Sequence, residues 1–119
     1  MNENQESIST WAMKTFGPAG SNLDVAKRAA LEMAELIEAL EADDHGLNAA
    51  EECADVVIIL YRLMDRLGCD MRNEINRKMK INRKREWVTS KDGIGQYVSR
   101  HTEKGTIIPR VVGAYSEVF

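Results

Sequence analysis

The sequence predicts an all-α protein, a four-helix-type bundle with a C-terminal arm, and two observations carry that expectation. Apolar residues repeat at spacings of three and four through most of residues 5–84. Only two prolines occur in 119 residues, the aromatic fraction is 6%, and β-branched runs are few. At this length the chain reads as a single domain over 1–119, with a helical core at about 21–87 and an arm at about 88–119. So short a chain has little core of its own, so further apolar burial by association, as a homodimer or homotetramer, is expected.

The first helix should cover about Gln5 to Lys14 and stop at Thr-Phe-Gly-Pro-Ala-Gly, where two glycines and a proline interrupt the pattern. Ser21 followed by Asp24 resembles a capping box with Asp in place of Glu. From there Leu23, Ala26, Ala30, Met33, Ile37 and Leu40 form one stripe, so the second helix runs to about Ala42. Asn48 with Glu51 suits the start of a third helix, closed near Gly68 by a left-handed cap. Its stretch from Val56 to Leu60 is apolar on nearly every side and belongs in the middle of a bundle or between subunits. Asp70 then caps a fourth helix, striped by Met71, Ile75 and Met79, that extends to about Lys84. Beyond Thr89 the chain is rich in glycine and β-formers and reads as an arm with a short strand near Ile107 to Val112.

Composition excludes several classes. No apolar run can span a bilayer, and the first ten residues have neither a basic start nor an apolar stretch, so a soluble cytoplasmic protein is expected, in the host cytoplasm if phage-encoded. Cys53 and Cys69 do not form a zinc-like spacing and read as reduced thiols. His45, in a turn, and His101, in the tail, have no nucleophile partner at a recognisable spacing and read as surface residues, although Tyr97, Arg100 and His101 could fold over a ligand. A net charge of −3 conceals segregation: no Lys or Arg stands between Arg28 and Arg62, whereas residues 72–85 hold seven basic residues and one acid, Glu74.

The acids carry the chemistry. Glu32 and Glu35 are three apart on the second helix, and Glu52 and Asp55 are three apart on the third, so each pair projects from one helix face. A short connection around Asp43 to Leu47 favours an antiparallel hairpin, in which the four carboxylates converge. Asp55 lies among Cys53, Ala54, Val56 and Val57, where burial would demand a counter-charge from the fourth helix or from a bound cation. Oxygen-only ligands without histidine favour Mg²⁺, with Mn²⁺ as substitute, over a di-iron site. Magnesium commonly shares its coordination with phosphates, which points to a phosphate ester or anhydride. Glu41, Asp43 and Asp44 read as a solvated face. On the fourth helix Lys78, Asn82 and Arg85 follow at spacings of four and three and can face a polyphosphate together.

Glu32-x-x-Glu35, a hairpin-length gap, Glu52-x-x-Asp55 and Lys78-x-x-x-Asn82-x-x-Arg85 resemble the MazG-like family of all-α nucleotide pyrophosphohydrolases, over about Ser21 to Trp87. The resemblance implies a dimeric or tetrameric bundle that holds magnesium between the two acidic pairs and releases pyrophosphate from a nucleoside triphosphate. Trp11-x-x-x-x-Phe16-Gly17, and Trp87 and Asp92-Gly93 after the basic motif, are similar to the branch acting on dATP and dGTP, which implies a purine deoxynucleotide. Trp11 and Phe16 are then candidates to stack on the base, or else ordinary packing residues.

The expected chemistry is attack of a metal-activated water on the α-phosphorus, with two or more ions bridging carboxylates and triphosphate. Glu32 or Glu35 would act as base. Glu38, a turn further along, would hold an additional ion or remain at the surface. Lys78 and Arg85 would neutralise phosphate, and Asn82 would bond sugar or phosphate. Two rivals are a non-enzymatic helical interaction protein and a nucleic-acid-binding module on the basic helix; the negative net charge argues against nucleic acid.

Overall fold

A computed structural model describes residues 2–43 and 46–99 and the backbone of 108–110. Asp44, His45, Arg100 and His101 lie outside the described residues. The elements are α1 (Gln5–Phe16), α2 (Asn22–Ala42), α3 (Leu47–Arg66), α4 (Met71–Lys84), β1 (Glu86–Val88), β2 (Gln96–Ser99) and β3 (Ile108–Arg110). They form two compact units, Met1–Glu74 and Ile75–Phe119. That division falls inside α4.

In the first unit the helix ends follow local chemistry. The Asn4 side chain accepts from the Ser7 N–H at 2.8 Å, and the Ser7 hydroxyl accepts from the Asn4 N–H at 2.8 Å, a reciprocal box that starts α1. Helix α1 outlasts Lys14 and ends where Gly17, at φ 75°, donates to the Met13 carbonyl. Ser21 Oγ accepts from the Asp24 N–H at 3.0 Å, so the serine half of the expected cap is present. The Asp24 carboxylate lies over Gly20 instead, where an added Cβ would stand 2.9 Å from Oδ2.

Helix α3 begins a residue before Asn48, with Gly46 at its cap and no side-chain bond to it. The Gly46 N–H is donated to the Asp43 carbonyl at 3.1 Å, which brings the chain round without the expected Asn48 cap. At the other end Gly68, at φ 73°, bonds to the Asp65 carbonyl while Cys69 N–H reaches Met64, the double bond of a Schellman closure. Asp70 Oδ2 then accepts from Asn73 N–H at 3.0 Å, as expected of a cap. Gln5 clamps this corner by donating to the Cys69 carbonyl and accepting from the Met71 N–H, each at 2.7 Å.

Helix α3 packs against both α1 and α2, the central position its apolar sequence called for. Arg66 Nε donates to Asn22 Oδ1 at 2.8 Å, which joins the end of α3 to the start of α2 and makes the pair antiparallel. The face that α2 covers, however, is Val25, Ala29 and Glu32. The stripe read from the sequence turns outward: Leu23 is 62% exposed, Met33 42% and Ile37 51%. Among the described residues no large side chain is fully buried; the buried apolar residues of this unit are Ala12, Val25, Ala29, Ala49 and Val56, while Val98 is buried in the second unit.

The second unit holds the rest of α4 and an antiparallel three-stranded sheet of order β1-β2-β3, with Trp87 opposite Tyr97 and Val98 opposite Pro109. The strand expected near Ile107 is β3; β1 and β2 were not expected, because strands of three or four residues are too short to establish alternation. Asp92 organises the β1–β2 turn, accepting from the Ser90 hydroxyl and from Ile94 N–H, and these bonds hold its carboxyl below the usual carboxylate range.

Candidate active site

Antiparallel packing of α2 on α3 places Glu32 opposite Glu52 and Asp55. One carboxylate oxygen from each of these residues lies within 4.8 Å of the others. Glu32 is the buried member, at 7% exposure, whereas Glu52 is half-buried and Asp55 is exposed. The sequence reading had assigned burial to Asp55. An apolar neighbourhood along the chain does not fix which way one face points: Val56 is buried, but Asp55 opens on a cleft.

The counter-charge comes from Arg28, whose Nη2 stands 2.8 Å from Glu32 Oε1. Arg28 stands four residues before Glu32 on the same helix, so the pair is an i,i+4 contact within α2. Glu35, expected as the fourth converging carboxylate, stands outside the three-oxygen cluster but adjoins it through Glu32. Its carboxyl is raised above its usual value, chiefly by a side-chain hydrogen bond with Glu32, then by the Glu32 charge, by burial and by Glu52, with Arg28 opposing. Glu38 is exposed and stands outside the oxygen cluster. Three carboxylates crowded together, with oxygen donors only, fit a hard divalent cation such as Mg²⁺ or Mn²⁺.

The cleft beside this cluster has a volume of about 600 Å³, a ligand-sized space. Glu32 and Asp55 line one part of it, Ala12, Val25, Ile58 and Ile59 give it apolar walls, and Trp11, Phe16, Ala19, Asp24, Arg28 and Arg62 complete it. The Trp11 and Phe16 rings meet edge to face at 5.3 Å and 86°, and both are more than half exposed, so an aromatic surface faces the opening. Arg62 donates to the Gly17 carbonyl at 2.7 Å and lies 5.8 Å from the Phe16 ring centre, which fixes the loop after α1. From the sequence, Asp24 reads as a helix cap and Arg28 and Arg62 only bound the stretch without basic residues, so none of the three is expected in a site.

Lys78, Asn82 and Arg85 belong to the second unit, so the carboxylate cluster is built from the first unit alone. Lys78 is exposed. The Asn82 side-chain carbonyl is buried without a hydrogen-bond partner among the described residues, and its backbone carbonyl accepts from Trp87 Nε1 at 2.8 Å. The Arg85 guanidinium lies 4.3 Å from the Tyr97 ring centre.

Carboxylates gathered on a helical hairpin beside a cleft with aromatic lining define a class of all-α proteins with a candidate site for a divalent cation. Within that class the chain belongs to the MazG-like family, whose sequence model matches residues 29–99. It is 35% identical over 94 residues to a dATP/dGTP diphosphohydrolase of Salmonella phage PMBT28. The match takes in 79% of this chain but 30% of that relative, so the chain spans under a third of the curated protein's length. Its fold is similar, at a TM-score of 0.65 and 26% identity, to the MazG-like pyrophosphohydrolase of cyanophage S-2L, a structure bound to dGDP and three catalytic Mn²⁺ ions per active site. The superposition covers 80% of this chain and 89% of that one.

Proposed function

We propose that this chain hydrolyses a purine deoxynucleoside triphosphate, dGTP or dATP, to the monophosphate and pyrophosphate with divalent cations. The observation that carries the reading is the convergence of Glu32, Glu52 and Asp55 within 4.8 Å at the edge of a cleft that also holds Trp11 and Phe16. Bound Mg²⁺ or Mn²⁺, two or more ions in the proposal, would neutralise the triphosphate and make water nucleophilic at neutral pH. Glu32, Glu35, Glu52 and Asp55 hold the ions, and Glu38 is available for another.

Glu35, with its raised affinity for a proton, or Glu32 beside it accepts the proton of the attacking water. The water oxygen bonds to the α-phosphorus as the bond to the bridging oxygen breaks, and pyrophosphate leaves. Trp11 and Phe16 offer the base a ring surface. Lys78, Asn82 and Arg85 are proposed for phosphate and sugar on their spacing and their place inside the family match.

A second copy of the chain covers the outward stripe of α2, as a homodimer or homotetramer. The support is the scale of apolar exposure, with no large side chain fully buried among the described residues. Light scattering should report an assembly, and Ile37→Glu should shift it to monomers.

No helix among the described residues is long and apolar enough to cross a membrane. The proposed location is the cytoplasm, that of the host if the gene is phage-borne.

Incubating the protein with each dNTP and NTP plus Mg²⁺ or Mn²⁺, and resolving the products, tests the reaction. Monophosphate and pyrophosphate are expected, most from purine deoxynucleotides. Diphosphate plus orthophosphate would reject α-phosphorus attack, a pyrimidine-only result would reject the purine assignment, and no hydrolysis would favour an interaction protein.

A further inference from the structure

We propose that Asp24 reads the hydrogen-bonding edge of the base and makes the cleft select guanine over adenine; the inference rests on the nucleotide reading above. Asp24, Arg28 and Glu32 line the cleft from successive turns of α2, at i, i+4 and i+8. At a rise of 1.5 Å per residue, Asp24 and Glu32 stand about 12 Å apart along the helix. That separation matches an extended purine nucleotide, with the phosphates at Glu32 and the far edge of the base at Asp24. The walls between are apolar, formed by Val25, Ile58 and Ile59, as a base face requires.

The other charged groups near the base end are already engaged. Arg28 is paired with Glu32, and Arg62 is held by the Gly17 carbonyl and the Phe16 ring. The Asp24 carboxylate accepts no hydrogen bond from the described residues, while its backbone N–H is tied to Ser21. Gly20 leaves the space in which the carboxylate sits, since a Cβ there would meet Oδ2 at 2.9 Å.

An ionised carboxylate only accepts, through two oxygens side by side. Guanine presents two adjacent donors on its Watson–Crick edge, N1–H and the N2 amino group, and satisfies both oxygens. Adenine presents an acceptor, N1, beside its N6 amino donor, so one bond forms and one pair of lone pairs is opposed. A pyrimidine stacked in the same place falls short of Asp24.

The test compares kcat/KM for dGTP, dITP and dATP in the wild type and in Asp24→Asn. dITP keeps N1–H and lacks the 2-amino group, so the wild type should rank dGTP above dITP above dATP, with dGTP over dATP by about tenfold or more. Asparagine offers one donor and one acceptor, the complement of adenine. Asp24→Asn should therefore erase or invert the ratio, mainly through KM, and the Ser21 cap, which uses backbone, is retained.

An unchanged ratio in a variant that still releases pyrophosphate would overturn the role of Asp24 alone. So would a wild type that treats the three purines alike, a result independent of how the variant folds. Absence of triphosphate hydrolysis in the wild type would overturn the underlying reading, and this inference with it.

Discussion

Asp55→Asn should lower kcat by about two to three orders of magnitude while leaving the fold intact. The substitution keeps the shape of the side chain and removes one of three negative oxygens gathered within 4.8 Å. Asp55 is exposed, so no core contact is lost. Relief of like-charge repulsion should raise the melting temperature slightly when no divalent cation is present. In Mn²⁺ the order reverses, because the wild type gains stability from the ion and the variant gains less. Steady-state kinetics and thermal denaturation with and without Mn²⁺ read both effects. Glu35→Gln should also lose activity, because the Glu35 carboxyl is hydrogen-bonded to Glu32 and lies in the field of Glu32 and Glu52. Full activity in either variant would reject the cation site as proposed.

Most of the helical architecture was legible because its signals are local. Ser21, Asp70 and Gly68 announce helix ends through backbone bonds within a few residues, and these appear in the structure. The pairing of Glu32 with Glu52 and Asp55 was legible for a related reason: a three-residue spacing and a short hairpin leave few ways to arrange two helices. Burial was less legible, since it depends on which neighbour a face meets. Leu23, Met33 and Ile37 have the periodicity of a core stripe, yet α3 packs on Val25, Ala29 and Glu32 instead. A sequence shows that a stripe is apolar but does not distinguish a face covered within one chain from one left for another copy. The base end of the cleft was hidden more deeply. Asp24 and Arg62 are separated by 38 positions and acquire meaning only when α2 and α3 run antiparallel.

Arg28→Ala should destabilise the cation-free protein by about 1–3 kcal/mol, several degrees in melting temperature. Arg28 Nη2 pairs with Glu32 Oε1 at 2.8 Å, and the two side chains differ sharply in exposure, 63% for Arg28 and 10% for Glu32. Losing the arginine leaves a carboxylate largely withdrawn from water, with Glu35, Glu52 and Asp55 nearby and no positive partner. The penalty stays below that of breaking a fully buried pair because Arg28 itself remains mostly solvated. A divalent cation at the same carboxylates supplies the missing charge, so Mn²⁺ should stabilise Arg28→Ala more than the wild type and narrow the gap between them. In a Glu32→Gln background the arginine has no charge to neutralise, and its removal should change stability little. A double-mutant cycle measured with and without Mn²⁺ isolates this coupling. A loss that persisted in the Glu32→Gln background, unchanged by Mn²⁺, would assign Arg28 to packing of its aliphatic stem and leave the buried Glu32 without its proposed counter-ion.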